Sequence, residues 1–336
     1  MIASLTGTLL IIVAMMMGIS LFWSFYYGDD WLALAMSAII TGAGGFMLRL
    51  FNYNNSNKEV RKRDGFLIVA LGWIAMSLFG SLPYIIGGAI PNLVDAFFET
   101  MSGITTTGAT ILTDVEALPN DLLFWRSMTH WIGGMGIIVL TVAILPLLGV
   151  GGMQLFVAEA PGVTPDKLHP RITETAKRLW LIYFALTVLE AVMLWFAGMT
   201  FFDAINHAMA TMATGGFSTK NLSVAYYSSS TIHYIITVFM YLAGVNFTLL
   251  FLGFTGKVKN VLANEEFRVY SLNILVLGLL VSLGLIFFQD VAPAVAFRNG
   301  YFQVVSIITT TGFVTDNYLL WPHALSFLIF CLFFSG

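Results

Sequence analysis

Three short runs of threonine and glycine are the residues in this chain best suited to chemistry, and the chemistry they suit is holding a dehydrated cation. They lie at 105–108 (TTTG), 213–216 (ATGG) and 309–312 (TTTG). Glycine tolerates backbone conformations that point successive carbonyls the same way. Rings of such carbonyls, aided by threonine hydroxyls, can replace an ion's hydration shell. The oxygens would come from Thr106, Thr107 and Gly108, from Thr214, Gly215 and Gly216, and from Thr310, Thr311 and Gly312. Small residues in membrane segments also serve close helix packing, so the weight lies in the repetition rather than in any single run.

The elements that must position these runs repeat as well. Thirteen residues before each final glycine stand Asp95, Asp203 and Asn299, opening the segments DAFFETMSGITTTG, DAINHAMATMATGG and NGYFQVVSIITTTG. A helix over 95–105 is roughly 16 Å long, about half the hydrocarbon core, which suits a re-entrant element better than a span. Irregular backbone at that depth is tolerated only where protein buries it or where it lines a water-filled cavity. Three such turns therefore argue for one pore axis. Four residues after the opening positions come Glu99, His207 and Gln303, one helical turn further along the same face. There they would brace the loops by hydrogen bonds, although a carboxylate near the mouth could also draw cations. A metal role for His207 finds no support, because His130, His169, His207, His233 and His323 show no tight ligand spacing with acidic or cysteine partners.

Composition bounds the class. Of 336 residues 58% are hydrophobic and only 10% charged, with a mean hydropathy of +0.86, whereas soluble domains carry about 25% charged residues. This is a polytopic membrane protein. The first 25 residues lack a basic leader region and a small-residue cleavage site, so 2–25 reads as a retained helix. The single cysteine, Cys331, excludes internal disulfides and lies in an apolar run where a packed thiol is expected.

Candidate spans fall at about 2–25, 31–50, 65–88, 123–148, 177–200, 232–254, 270–288 and 320–336. Alternating the loops places Arg49, Lys58, Arg61, Lys62, Arg63, Lys167, Arg171, Lys177, Arg178, Lys257, Lys259 and Arg268 on one side, 12 of the 15 basic residues. The other side has Arg126, Lys220 and Arg298. The basic side is cytoplasmic by the positive-inside rule, so the N-terminus is inside and each Thr-Gly turn is entered from outside. Asp29, Asp30, Asp95, Glu99, Asp114, Glu116, Asp121, Asp203, Asp290 and Asp316 collect outside, where a negative vestibule would concentrate cations.

The repeating unit is span, short helix, Thr-Gly turn, span. It divides the chain into a leading hairpin with its loop (1–64), a first pore repeat (65–150), a cytoplasmic loop (151–173), a second repeat (174–256) and a third, incomplete repeat (257–336). A period near 100 residues is too long for a solenoid and suits internal duplication about a membrane-normal axis. Glu190 is the one acid in mid-span, a position that marks function by default, though it could instead face a polar neighbour or an interface. The cluster Gly133, Gly134 and Gly136 reads as close helix packing beside a turn. Arg126 and Arg298, at outer helix ends, are expected to snorkel.

The stretches RDGFLIV (63–69), DAFFETMSGITTTGAT (95–110), WIGGMGIIVLTVAILPLLGVGGMQL (131–155), RITETAK (171–177), ATGGFST (213–219) and FQVVSIITTTGF (302–313) together resemble the Trk/Ktr/HKT superfamily of potassium transporters. Within it the resemblance is to the bacterial TrkH subunits, over nearly the whole chain. It implies an all-α fold of pseudosymmetric helix, pore-helix, filter and helix units, with K+ as the transported ion at the nine filter residues and no organic cofactor. It also implies potassium uptake down the electrochemical gradient through a gated pore in the inner membrane. The expected partners are a second copy of the chain, a cytoplasmic nucleotide-binding regulatory ring docked on the inner loops, and membrane lipid; no nucleic-acid partner is expected. Four such repeats surround the family's pore, and a small-residue gate loop breaks the second span of the third. Both lie past residue 336, so an N-terminal fragment unable to close a conducting pore is expected. Coupling of cation movement to sodium or protons is left open by the residues.

Two other classes were weighed. A secondary transporter of another small solute should show broken helices in inverted halves. An intramembrane enzyme needs a nucleophile and base or a metal pair in facing spans, and no such pair stands out, so catalysis is not expected.

Overall fold

The computed structural model of the chain describes residues 2–50, 62–139 and 168–332. The basic loops expected at 51–64 and 151–173 lie mostly outside these residues, as does the stretch from 333 onward. Among the described residues every regular element is helical. Helices satisfy all their backbone groups within one segment, which lipid demands. The chain divides into two compact units, Met1–Trp180 and Leu181–Gly336.

In the first unit, α1 (Ile2–Tyr27) and α2 (Trp31–Leu50) form the leading hairpin. They cross where Gly7 meets Gly45. A Cβ on Gly7 would lie 2.5 Å from the Gly45 carbonyl oxygen, and one on Gly45 2.7 Å from that of Gly7, the small-residue contact that lets membrane helices approach. Next come α3 (Lys62–Gly80), α4 (Leu82–Ile86), α5 (Leu93–Ile104) and α6 (Asn120–Val139). Two carboxylates fasten the hairpin to the start of α6: Asp29 accepts the Asn120 N–H at 2.9 Å, and Asp121 accepts the Ser24 hydroxyl at 2.8 Å. The Trp125 indole N–H of α6 donates to the Gly80 carbonyl at 3.0 Å, occupying one of the acceptors that a helix end leaves open.

The helix α7 (Leu168–Phe196) leads into the second unit, which contains α8 (Phe201–Met212), α9 (Ser230–Ala243), α10 (Phe247–Phe254), α11 (Val258–Ala263), α12 (Glu265–Gln289), α13 (Pro293–Ile308) and α14 (His323–Leu332). Its core joins Leu194, Phe217, Met240, Phe302, Phe313 and Trp321. α12 and α13 approach closely, since a Cβ on Gly300 would stand 2.5 Å from the Ser282 Oγ.

Five helical stretches are long and apolar enough to cross a membrane among the described residues: Ala3–Tyr27, Trp31–Leu50, Leu67–Ile86, Ala176–Phe196 and Glu265–Gln289. The expected span at 232–254 is not one straight helix, because α9 and α10 are bent by 105°. The cause is local. Gly244 caps α9, and Asn246 restarts the chain as α10 by accepting the Thr248 N–H at 3.0 Å, a helix end followed at once by a helix start. The span expected from 320 begins at His323. Cys331, expected to be packed, lies on the exposed face of α14.

Candidate ion filter

The helices preceding the three turns are started by cap residues. Asn92 accepts the Val94 N–H ahead of α5, Thr200 accepts the Asp203 N–H ahead of α8, and Pro293 opens α13 with a φ already suited to a helix. α5 and α8 are each 12 residues long, too short to span. From 202 to 212 every residue of α8 except Ile205 is buried. A short helix buried on all faces is enclosed by protein rather than lipid.

All three helices end in the same way. The N–H groups of Thr106 and Thr107 reach back to the carbonyls of Gly103 and Ser102 at 3.0 and 2.9 Å. Thr214 and Gly215 do the same to Thr211 and Ala210, both at 2.8 Å, and Thr310 and Thr311 to Ile307 and Ser306 at 3.0 and 2.9 Å. This is the paired closure that usually has glycine at its left-handed position. Here that position is threonine each time: Thr106 at φ 55°, Thr214 at φ 51° and Thr310 at φ 57°. A β-branched residue with positive φ is an outlier costing on the order of 1–3 kcal/mol, and it persists only where its surroundings impose it. Two residues on come Gly108 (φ 77°), Gly216 (φ 77°) and Gly312 (φ 83°). The phase seen in the sequence is thus a phase in the backbone, and in each loop two left-handed residues flank one further residue.

Hydroxyls differ among the copies. Thr105 and Thr107 join Oγ1 to Oγ1 at 2.8 Å, and Thr309 and Thr311 likewise. The second loop has Ala213 and Gly215 instead.

Of the three expected braces, two make the predicted kind of contact. Glu99 accepts the Ile111 N–H at 2.9 Å and the Thr110 hydroxyl at 3.0 Å, tying α5 to the chain leaving its loop. His207 holds the Asp203 carbonyl at 2.8 Å through Nδ1 and the Ser218 Oγ at 2.9 Å through Nε2. Gln303 is buried, but its Oε1 has no hydrogen-bond partner among the described residues. The third loop is held instead by the Ser306 hydroxyl, which donates to the Phe313 carbonyl at 2.7 Å. A second layer of ties comes from the opening positions: the Thr219 hydroxyl donates to Asp203 at 2.6 Å, and the Asn299 amide to Asp316 at 3.4 Å. In the loop between α8 and α9, the Tyr227 phenol is pushed above its usual range, first by burial and then by the neighbouring Asp203 charge.

Arg126 does not snorkel. It is 3% exposed, and its Nε donates to Glu99 Oε1 at 2.6 Å, so the brace of the first loop is one half of a buried ion pair. Arg298 stays at the surface, its guanidinium donating to the exposed Ser230 Oγ at 2.6 Å. Several acids counted toward a vestibule, Asp29, Glu99, Asp121, Asp203 and Asp316, are occupied as braces. The glycine cluster behaves as expected at Gly133, where an added Cβ would collide with the Ile104 carbonyl at the end of α5.

In the second unit the second and third loops interlock. An added Cβ on Gly216 would strike the Thr311 carbonyl oxygen. Beyond the turns, the Ala225 N–H donates to the Val314 carbonyl at 2.9 Å, and the Val314 N–H to the Ser223 Oγ at 3.4 Å.

Comparison with known proteins agrees with this geometry. A family profile described as "Cation transport protein" (TrkH) matches residues 35–336. The Trk system potassium uptake protein TrkH of Salmonella typhimurium is 50% identical over 283 residues, covering 83% of this chain and 58% of that protein. The TrkH of Halomonas elongata is 42% identical over 340 residues, covering 100% of this chain and 70% of that one. The crystal structure of the potassium transporter TrkH from Vibrio parahaemolyticus superposes with a TM-score of 0.85 at 39% identity, covering 98% of this chain and 69% of its own. The chain spans little more than half the length of the Salmonella relative. With a profile match over most of its residues, a shared helical fold and three loops of one backbone form, this multi-pass membrane protein belongs to the TrkH family of cation transport proteins.

Proposed function

We propose that the chain supplies walls of a potassium-selective path, in which carbonyls of Thr106, Thr107, Gly108, Thr214, Gly215, Gly216, Thr310, Thr311 and Gly312 replace the ion's hydration shell. The observation that carries this reading is the threefold recurrence of left-handed threonine and left-handed glycine two residues apart. A positive φ turns a peptide plane relative to its neighbours, and three unrelated packing solutions would have no reason to do so in one phase. The name "potassium uptake protein" borne by the relatives supports potassium as the ion. The whole system would include a second copy of the chain and a cytoplasmic nucleotide-binding ring docked on the loops at 51–64 and 151–173.

Transport is tested on the chain continued by the segment of the Vibrio parahaemolyticus relative that lies beyond the match. In cells lacking their own potassium uptake, it should restore growth at low potassium and take up rubidium in preference to sodium. Preference for sodium, or no uptake at membrane levels equal to the relative's, counts against the proposal.

Orientation rests on the 12 to 3 split of basic residues. In a Cys331→Ser background, a cysteine at Asn260 should react with impermeant maleimide only from the cytoplasmic side. One at Ala117, which is exposed, should react only from outside. The reverse pattern would invert the topology.

A further inference from the structure

At the foot of the third loop the second unit holds a cavity of about 280 Å³. One wall is the break between α9 and α10, around Gly244 and Leu249, and the other is the beginning of α12, from Glu266 to Asn273. Ile308, the last residue of α13, lines it as well. The bend of 105° carries α10 out of the line of α9, and the cavity lies at that corner. A Cβ on Gly244 would stand 2.6 Å from the Tyr270 hydroxyl oxygen and 2.7 Å from the Thr309 Cγ2. The end of α9, the wall of α12 and the residue following α13 therefore meet at the cavity's edge.

The lining combines aromatic rings with a carboxylate. Phe267 and Tyr270 both line the cavity, and Tyr241 of α9 fixes the pair: its ring stacks on that of Tyr270 at a centroid distance of 5.2 Å and meets that of Phe267 edge-on at 6.5 Å. The Tyr270 hydroxyl donates to the Tyr241 carbonyl at 2.9 Å, which holds the ring against α9. Glu266, in the first turn of α12, brings a negative charge to the same wall. None of the described residues lining the cavity is basic. Arg268, the neighbouring arginine, is outside the lining and turns its Nε to the Leu262 carbonyl at 2.6 Å. Ring faces attract a positive group through their quadrupole, and this is how proteins recognise organic ammonium ions. A bare alkali ion asks instead for a shell of oxygens, whereas the buried end here is made by Val245, Leu249 and Ile308. The volume sets the size, falling just below the roughly 300–1,000 Å³ of sites for drug-sized ligands.

We propose that this cavity binds a small alkylammonium group, its positive head between Glu266 and the rings of Phe267 and Tyr270, its alkyl part against Val245, Leu249 and Ile308. The group comes either from a soluble amine or from the headgroup of an ethanolamine lipid, since both present the same chemistry. The site is separate from the nine filter carbonyls and stands whether or not they select potassium. Because Ile308 immediately precedes Thr309, an occupant bears on the foot of the third loop.

The test is calorimetric titration of the purified chain with choline, and with the neutral alcohol in which carbon replaces the choline nitrogen. Choline should bind about ten-fold more tightly, the scale of a cation–π contact together with an ion pair, and an equal concentration of potassium chloride should not displace it. Glu266→Gln, at an exposed position, and Phe267→Leu should each weaken choline about five-fold and leave the alcohol unchanged. The ratio of the two probes on one variant decides even where Phe267→Leu lowers the yield. Equal affinity for both probes on the parent shows an apolar void, and displacement by potassium shows an inorganic site; either result overturns the proposal, as does an unchanged ratio in both variants. Bilayer discs separate the sources. Weaker choline binding in phosphatidylethanolamine than in uncharged galactolipid identifies the lipid headgroup as the occupant, and equal binding identifies a soluble amine, with the site upheld in both cases.

Discussion

Gly216→Ser is expected to abolish most rubidium-over-sodium selectivity, and the same change at Gly312 to remove less. Both glycines sit at positive φ, 77° and 83°, where a side chain costs on the order of 1–3 kcal/mol, or roughly 5- to 150-fold if the loop must deform to relieve it. They differ in their surroundings. A Cβ at Gly216 runs into the Thr311 carbonyl, one of the oxygens proposed to face the ion, while at Gly312 nothing lies within 4 Å. Serine at 216 therefore damages two walls, and serine at 312 strains one. Met209→Ala is the control. Met209 is 4% exposed inside α8, so truncation opens a cavity and lowers the amount of protein in the membrane without changing selectivity in what remains. Competitive uptake at matched protein level gives the ranking. Equal, parental selectivity in both glycine variants would remove these loops from the ion path.

The second large effect is expected at the buried ion pair. Arg126→Met leaves the Glu99 carboxylate 1% exposed and without its cation, and breaking a buried pair from one side costs about 3–5 kcal/mol. The midpoint of thermal unfolding of the purified protein should fall sharply. Because Glu99 also holds Thr110 and Ile111, the first loop should lose its exit anchor at the same time. Adding Glu99→Gln should recover much of the midpoint, since an amide can still accept from the Ile111 N–H and carries no charge. A single variant as stable as the parent, or a double variant less stable than the single one, would show that the pair is not what holds this region.

The features legible in the sequence were those repeated at fixed spacing. The threonine and glycine of each run stand two residues apart at every copy, and Glu99 and His207 are one turn from the opening residue, so periodicity alone brought them together; that the threonines are left-handed, where glycine is usual, was not legible there. What escaped reading depends on tertiary packing. Arg126 meets Glu99 across 27 residues and two helices, and nothing local distinguishes it from an arginine at an interface. Gln303 is in phase, yet the tie to the chain leaving the third loop is made by Ser306, one turn later, at the Phe313 carbonyl. The break between α9 and α10 could have been found: Gly244 followed by Asn246 is a helix end and a helix start, but the apolar run on either side outweighed it.

The interlock of the second and third loops has a consequence for how the protein is made. Val314, which ties to Ala225 and Ser223, follows Ser223 by 91 residues. At about 5–20 residues per second on the ribosome, the second loop waits roughly 5–18 s after its own synthesis before its neighbouring wall exists. During that interval the Ala225 N–H and the Ser223 hydroxyl lack the partners that Val314 brings.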